Sequence, residues 1–372
     1  MLIFVASRSS KTKMAKILVT GGAGFIGSYI SRALIRRGDD VISLDNFNEY
    51  YPRKCKEFNV DLVNMLVGLP TQNPLAEVQP VFEKMESYYA SSEAEKRGTF
   101  KFYEADIVDV EKINDIFKNN EIDAVIHLAA WAGVPMSIEK PVIYAKANVV
   151  GTVHLLDACR NFGVKKFVFG SSSSVYGNRD GGTVIEEDDV MRAFSPYGAT
   201  KVAGEVLCHA SSVVYGIDIA INRIFGPVYG PLQRPYGMFI QRAINFAYNK
   251  KDISIYGSKG LETAKDSTYV DDQVDGFLRM LDYKTNFDVF NIGTANPQPI
   301  KLWINTIEKT LGMPLKYKIA EVDRGDVTSS ADINKAKKIL GYEPRMDMEE
   351  GIRRQVEIFQ LMPEWYKKME RV

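Results

Sequence analysis

Cysteine is scarce: Cys55, Cys159 and Cys208 stand far apart in 372 residues with no CxxC pair, which excludes a disulfide framework and a dithiol redox motif. Histidine is equally scarce. His127 sits in the apolar run DAVIHL, and His154 and His209 lie in helical stretches without a Cys, Asp or second His at a ligand spacing, so no metal is expected. Excess charge is missing as well, since 47 Lys and Arg balance 47 Asp and Glu. A net charge of zero exerts no pull on a phosphate backbone, and nucleic acid is not an expected partner. No run of about 18 apolar residues occurs, so no membrane-spanning helix is expected. The opening MLIFVA is followed by Arg8, Lys11 and Lys13, the reverse polarity of a secretory signal, and residues 1–13 read as a flexible tail with Met14 as an alternative start. Repeats and low-complexity tracts are absent, and the balance points to a cytoplasmic protein in reducing surroundings.

What is present is an ordinary globular composition, 45% apolar and 25% charged, in a chain long enough for about two domains. From residue 16 short β-rich runs alternate with helical patterns. Strands are expected at 16–20, 40–44, 100–104, 123–128, 165–170 and 217–222, and helices at 25–37, 110–119, 140–162 and 197–215. That rhythm predicts an α/β fold with a doubly wound parallel sheet over residues 14–224. Residues 52–99 break it with mixed charge and with Pro70, Pro74 and Pro80, and read as an insertion holding helices at 53–67 and 81–97. Residues 225–372 loosen into Pro/Gly-rich loops with helices near 235–250, 301–311 and 332–340, the expected place of a smaller α/β substrate-binding domain. Within them 271–293 reads as a helix and strand returning to the sheet, and the charged C-terminal helix as a solvated face.

Directly between the first strand and first helix runs Thr20-Gly21-Gly22-Ala23-Gly24-Phe25-Ile26-Gly27. Gly21, Gly24 and Gly27 meet the needs of a tight turn, of backbone approach to a pyrophosphate and of close helix–strand packing at a helix N-terminus. Asp45 ends the second strand 18 residues after Gly27, where a carboxylate hydrogen-bonds the adenine ribose hydroxyls and repels a 2′-phosphate. The reading is a Rossmann-type fold that takes NAD rather than NADP.

A second constellation follows the strand 165–170, which runs into Ser171-Ser172-Ser173-Ser174 and, further on, Tyr197-Gly198-Ala199-Thr200-Lys201. Tyr and Lys at i and i+4 share a helical face. A phenol of pKa about 10 must fall by roughly three units, about 4 kcal/mol, to act as a base near neutrality, and a neighbouring ammonium and a cationic nicotinamide supply that. Tyr50 and Lys54 have the same spacing but follow no serine cluster, and Tyr50 is read as a decoy.

With GGAGFIG, Asp45-Asn46, HLAAWAG, ANVVGT, SSSSVYG, YGATK, VYGP, STYVDD and RGDV all in register, the chain resembles the extended short-chain dehydrogenase/reductase family of nucleotide-sugar enzymes over about residues 15–350. DNFNEYY at 45–51 and Gln233-Arg234-Pro235 make it most similar to the UDP-glucuronate 4-epimerases. The resemblance implies that Ser172, Tyr197 and Lys201 are catalytic. It implies that Gly21, Gly24, Phe25, Ile26, Gly27, Asp45, Asn46, Asp106, Ile107, Leu128, Ala129, Ala130 and Asn148 line the NAD site together with Tyr197 and Lys201. For the UDP-sugar it implies Ser172, Ser173, Ser174, Tyr197, Arg234, Lys265, Arg324 and Asp326, and it implies a homodimer. The implied reaction removes hydride from C4 of the sugar and returns it on the other face. Ser173 and Ser174 stand where the related dehydratases and decarboxylases carry an acidic residue, which favours the epimerase. Pro135, Gly226 and Lys265 depart from the glucuronate pattern and keep UDP-glucose and UDP-N-acetylhexosamine open as substrates. A dehydratase or decarboxylase, or an NAD-binding sensor, is the alternative function.

Overall fold

Short runs rich in Val and Ile become strands because β-branched side chains pack well on a pleated surface. In the computed structural model, which describes residues 14–89, 97–177, 182–186, 193–235, 238–256, 259–320 and 330–369, seven of them join one sheet. These are β1 (Lys16–Thr20), β2 (Asp40–Asp45), β3 (Phe100–Glu104), β4 (Ala124–His127), β5 (Lys166–Gly170), β6 (Asp218–Ile224) and β7 (Phe287–Ile292). Their order is β7-β6-β5-β4-β1-β2-β3, and every pairing is parallel. Winding runs outward from β1 to β3 and then restarts at β4 on the other side of β1, so its direction reverses between β1 and β4. Ligands of open α/β sheets bind at the strand ends beside such a reversal.

Alternate side chains of the strands feed two cores. Ile17 and Val19 face one side, with Ile30 and Leu34 of α1 (Phe25–Arg37) and Phe58 and Leu62 of α2 (Arg53–Leu66). Leu18 faces the other, with Ile113 and Phe117 of α4 (Val110–Asn120) and Leu155 of α5 (Gly151–Phe162). The first core runs on without a break through Trp303 of α9 (Ile300–Leu311) and Ile352 and Phe359 of α10 (Met348–Leu361). The expected return to the sheet is there, as α8 (Val270–Asp282) followed by β7. The remaining long helices are α3 (Leu75–Glu86), α6 (Pro196–Tyr215) and α7 (Phe239–Tyr248).

Three elements differ from expectation. The second helix of the 52–99 segment begins at Leu75, with Pro80 inside it, because Val78, Val81 and Met85 form one buried stripe that carries the helix across the exposed proline. The single helix expected over 140–162 is a short turn at Pro141–Tyr144, a π-helix at Ala145–Val150 and α5. The C-terminal helix is no solvated face: Ile352, Arg354, Gln355, Val356, Ile358 and Phe359 of α10 are buried. Gln355 is its pivot. Its Oε1 accepts from Gly230 N (2.9 Å), and its Nε2 donates to Gln233 Oε1 (3.1 Å) and Gln241 Oε1 (2.9 Å). The Tyr366 hydroxyl adds a bond to the Gln233 carbonyl (3.1 Å). The loop leading to Arg234 is thereby held from the far end of the chain.

Candidate active site

A cavity of about 720 Å³ opens along the C-terminal ends of the strands, within the range of small-molecule sites. Gly21, Gly24, Phe25, Ile26 and Gly27 form one wall. Gly21 has φ +71, a left-handed turn, and a Cβ there would come within 2.8 Å of Ala129 N. Gly24 is the N-cap of α1 and offers no side chain to its N–H groups, and the first turn carries no acid. An uncapped helix N-terminus facing a cavity attracts an anionic group. Asp45, Asn46, Asp106, Ile107, Leu128, Ala129 and Ala130 continue the wall. The donor set and the glycine cradle fit a dinucleotide with its pyrophosphate at α1.

Asp45 and its neighbours form a run of side-chain turns. Asp45 Oδ1 accepts from Phe47 N (2.9 Å), Asn46 Oδ1 from Asn48 N (3.0 Å) and Asn48 Oδ1 from Tyr50 N (3.2 Å). Lys56 of α2 reaches in to Asn48 Oδ1 (3.0 Å) and Asp45 Oδ1 (3.4 Å). Burial lowers the pKa of Lys56, and the Asp45 charge opposes that. Lys56 also lines the cavity and escaped the sequence reading, which had assigned its segment to the insertion. Asp106 is braced by Asn46 Nδ2 (2.9 Å) and by Val108 N (3.0 Å).

Asn148 stands buried just behind the cavity wall, next to Ala147, which lines it. The π-helix turns it inward, where it accepts from Trp131 N (2.8 Å) and donates to Trp131 O (2.9 Å) and Thr200 Oγ1 (3.0 Å). It fixes the loop after β4 against α6. His127, at the end of β4, shares its ring nitrogens with Thr20 Oγ1 (2.7 Å) and Thr152 Oγ1 (3.0 Å). Burial, with the Lys201 charge adding to it, pushes its pKa down to about 3, so it stays neutral.

Ser172, Tyr197 and Lys201 meet in the cavity. Ser195 caps α6 by accepting from Gly198 N (3.1 Å), and Pro196 occupies the first turn, so the Ser-Pro pair starts the helix that carries Tyr197. Gly198 lets that helix approach the serine turn, since a Cβ there would lie 2.7 Å from Ser174 O. Burial raises the pKa of Tyr197, while the neighbouring Ser172 hydroxyl and the charge of Arg234 act against it. The Lys201 ammonium donates to Gly170 O (2.7 Å) and lies 6.0 Å from the centre of the Tyr197 ring. Burial pushes its pKa down to about 8. Behind this group Glu205 accepts from Ser171 Oγ (2.5 Å) and from the Arg223 guanidinium (2.7 Å at its shortest), tying α6 to the ends of β5 and β6.

Ser173, Ser174, Arg234 and Lys265 line the same cavity. Arg234 Nε is buried with no hydrogen-bond partner, a cationic donor free for a ligand. Arg324 and Asp326, with the RGDV block, lie outside the described residues. Tyr50, read as a decoy, is in the wall, and with Lys56 and Trp131 it is a residue that sequence reasoning missed.

The fold and cavity together define a Rossmann-type nucleotide-dependent enzyme class with a Ser/Tyr/Lys centre. The chain belongs to the NAD dependent epimerase/dehydratase family, whose profile matches residues 17–293. It is 36% identical over 346 residues to the UDP-glucuronate 4-epimerase of Thermodesulfobacterium geofontis, covering 92% of this chain and 95% of that one. Among solved structures, UDP-glucuronic acid 4-epimerase from Bacillus cereus in complex with UDP-glucuronic acid and NAD superposes with a TM-score of 0.77 at 32% identity, covering 93% of this chain and 99% of that one. UDP-glucose 4-epimerase from Thermotoga maritima with UDP-glucose is similar too, at 31% identity, a TM-score of 0.74 and coverage of 93% and 98%.

Proposed function

We propose that the chain is an NAD-dependent 4-epimerase of a UDP-sugar and that it interconverts UDP-glucuronate and UDP-galacturonate. The observation that carries this reading is one cavity joining the glycine cradle to Ser172, Tyr197 and Lys201, with neutral Ser173 and Ser174 beside them. Residues 14–224 would hold the cofactor and residues 225–372 the sugar nucleotide. Gly21, Gly24, Phe25, Ile26 and Gly27 would take the pyrophosphate, Asp45 with Lys56 the adenine ribose, and Asn46, Asp106, Ile107, Leu128, Ala129 and Ala130 the flanking groups. When bound, NAD⁺ accepts a hydride from sugar C4 and gives it back.

Tyr197 takes the proton of the sugar 4-OH, and Ser172 hydrogen-bonds the same oxygen. Lys201, held by Gly170, presents a positive charge that favours the phenolate. Oxidation at C4 makes glucuronate a β-keto acid, which loses CO₂ once its carboxylate stands perpendicular to the new carbonyl. Ser173 and Ser174 offer neutral donors that restrain the carboxylate yet let the sugar turn, and neither position carries an acid that would promote a proton shift at C5. Arg234 supplies the counter-charge.

The assembly we propose is a homodimer, through Val142, Val150, Val153, Val206, Val213 and Val214, apolar side chains exposed along residues 141–162 and α6. A cytoplasmic location accords with three free, buried cysteines. The test is a panel of UDP-sugars followed by NMR, with absorbance of reduced cofactor read in parallel. UDP-galacturonate appearing from UDP-glucuronate without accumulating NADH is the expected result. Equal or better kcat/KM for UDP-glucose overturns the substrate assignment, and NADH forming in step with product overturns the epimerase.

A further inference from the structure

Tyr50 stands at the far end of the run of side-chain turns that starts at Asp45, and its backbone is fixed by the Asn48 carboxamide (3.2 Å). Its hydroxyl lies against the loop after β4, so close that a Cβ on Gly133 would come within 2.5 Å of it, and Gly133 has φ +93. Its ring meets Trp131 edge-on at 6.0 Å. The Arg234 guanidinium lies over that ring, 5.0 Å from its centre, with Nε buried and unpartnered. Tyr50 and Tyr197 line the same cavity. An aromatic face held from three sides is a fixed seat for a guanidinium that otherwise ends a flexible side chain.

From this arrangement we propose that Tyr50 is a positioning residue that seats Arg234 through its ring face and so sets the grip of the cavity on the negative charge of the sugar nucleotide. The proposal rests on the reading of the cavity as a UDP-sugar site and deepens it, because the same loop begins at the ribose-facing Asp45 and ends at the sugar. The ring, not the hydroxyl, carries the effect. Tyr50→Phe keeps the face; Tyr50→Leu removes it.

The decisive measurement is a double-mutant cycle on the NAD-loaded protein, with Kd for UDP and for UDP-glucuronate read by calorimetry and KM and kcat read alongside. Tyr50→Leu should weaken binding about tenfold, within the range of a desolvated cation–aromatic contact, with a rise in KM larger than the fall in kcat. Tyr50→Phe should restore affinity to within about threefold of the parent. In an Arg234→Ala background Tyr50→Leu should change Kd by less than about twofold, because the partner it serves is gone. Equal losses from Phe and Leu, or the same loss in both Arg234 backgrounds, overturn the proposal. Coupling that persists in a protein turning over no UDP-sugar supports the seat and counts against the epimerase reading instead.

Discussion

Replacing Lys201 by Met should abolish turnover and at the same time make the protein more stable at neutral pH. Burial lowers this lysine from its usual 10.5 to about 8, a gap on the order of 3 kcal/mol against folding below pH 8. Methionine has a similar length and needs no hydration, so it removes that penalty. It also loses the 2.7 Å bond from Nζ to Gly170 O and leaves a buried carbonyl unpaired, which costs about 1–3 kcal/mol. The net expectation is a gain of about 0–2 kcal/mol at pH 7. The pH dependence follows from proton counts. Between about pH 8 and 10.5 the unfolded lysine keeps a proton that the folded one has released, so the stability of the parent rises through that window. The advantage of the Met variant is therefore greatest below pH 8, shrinks towards pH 10.5 and then reverses, since only the lost hydrogen bond remains. Urea midpoints by circular dichroism at pH 7, 8.5 and 10, with nucleotide removed, read this directly. A Met variant less stable than the parent at pH 7, or a difference that does not change with pH, refutes the reasoning.

Tyr197→Phe should lower kcat by ~10²–10⁴ while NAD content, read after denaturation, is retained; a loss below tenfold would mean another group moves the proton. The double variant Ser173→Ala with Ser174→Ala should impair UDP-glucuronate turnover and release some 4-keto-pentose, detected by NMR, while neutral UDP-sugars are barely affected; equal harm to both would remove these serines from carboxylate binding. Glu205→Ala should cost about 3–5 kcal/mol in urea unfolding, because Arg223 is left as a buried charge without its carboxylate. A cost below 1 kcal/mol would show that the pair is dispensable.

The sheet was legible because its inner strands are short apolar runs buried on both faces, a pattern that survives without any partner in view, while β3 at the edge is half-exposed. The glycine loop and Ser172, Tyr197 and Lys201 were legible for a different reason: their geometry is local, set by one strand end or one turn of helix. What the sequence hid is long-range. Tyr50 and Arg234 lie 184 positions apart, and nothing near either residue states that one ring carries the other. Lys56 sits in a segment whose prolines and mixed charge suggested an insertion, yet α2 brings it back to Asp45. The inward turn of Asn148 depends on a π-turn, which no residue pattern announces. The C-terminal helix looked solvated because Arg353, Arg354 and Glu350 dominate its composition, whereas Ile352, Val356 and Phe359 decide its packing.

The bond from Gly230 to Gln355 spans 125 residues, and that from Tyr366 to Gln233 spans 133. During synthesis, which releases a chain from its N-terminal end, the strands that shape the glycine cradle are complete at Ile224. The loop that presents Arg234 receives its last anchors only when α10 has left the ribosome. A chain released as far as Ile224 thus has six of the seven strands of the sheet, while the loop that presents Arg234 still lacks its bonds to Gln355 and Tyr366.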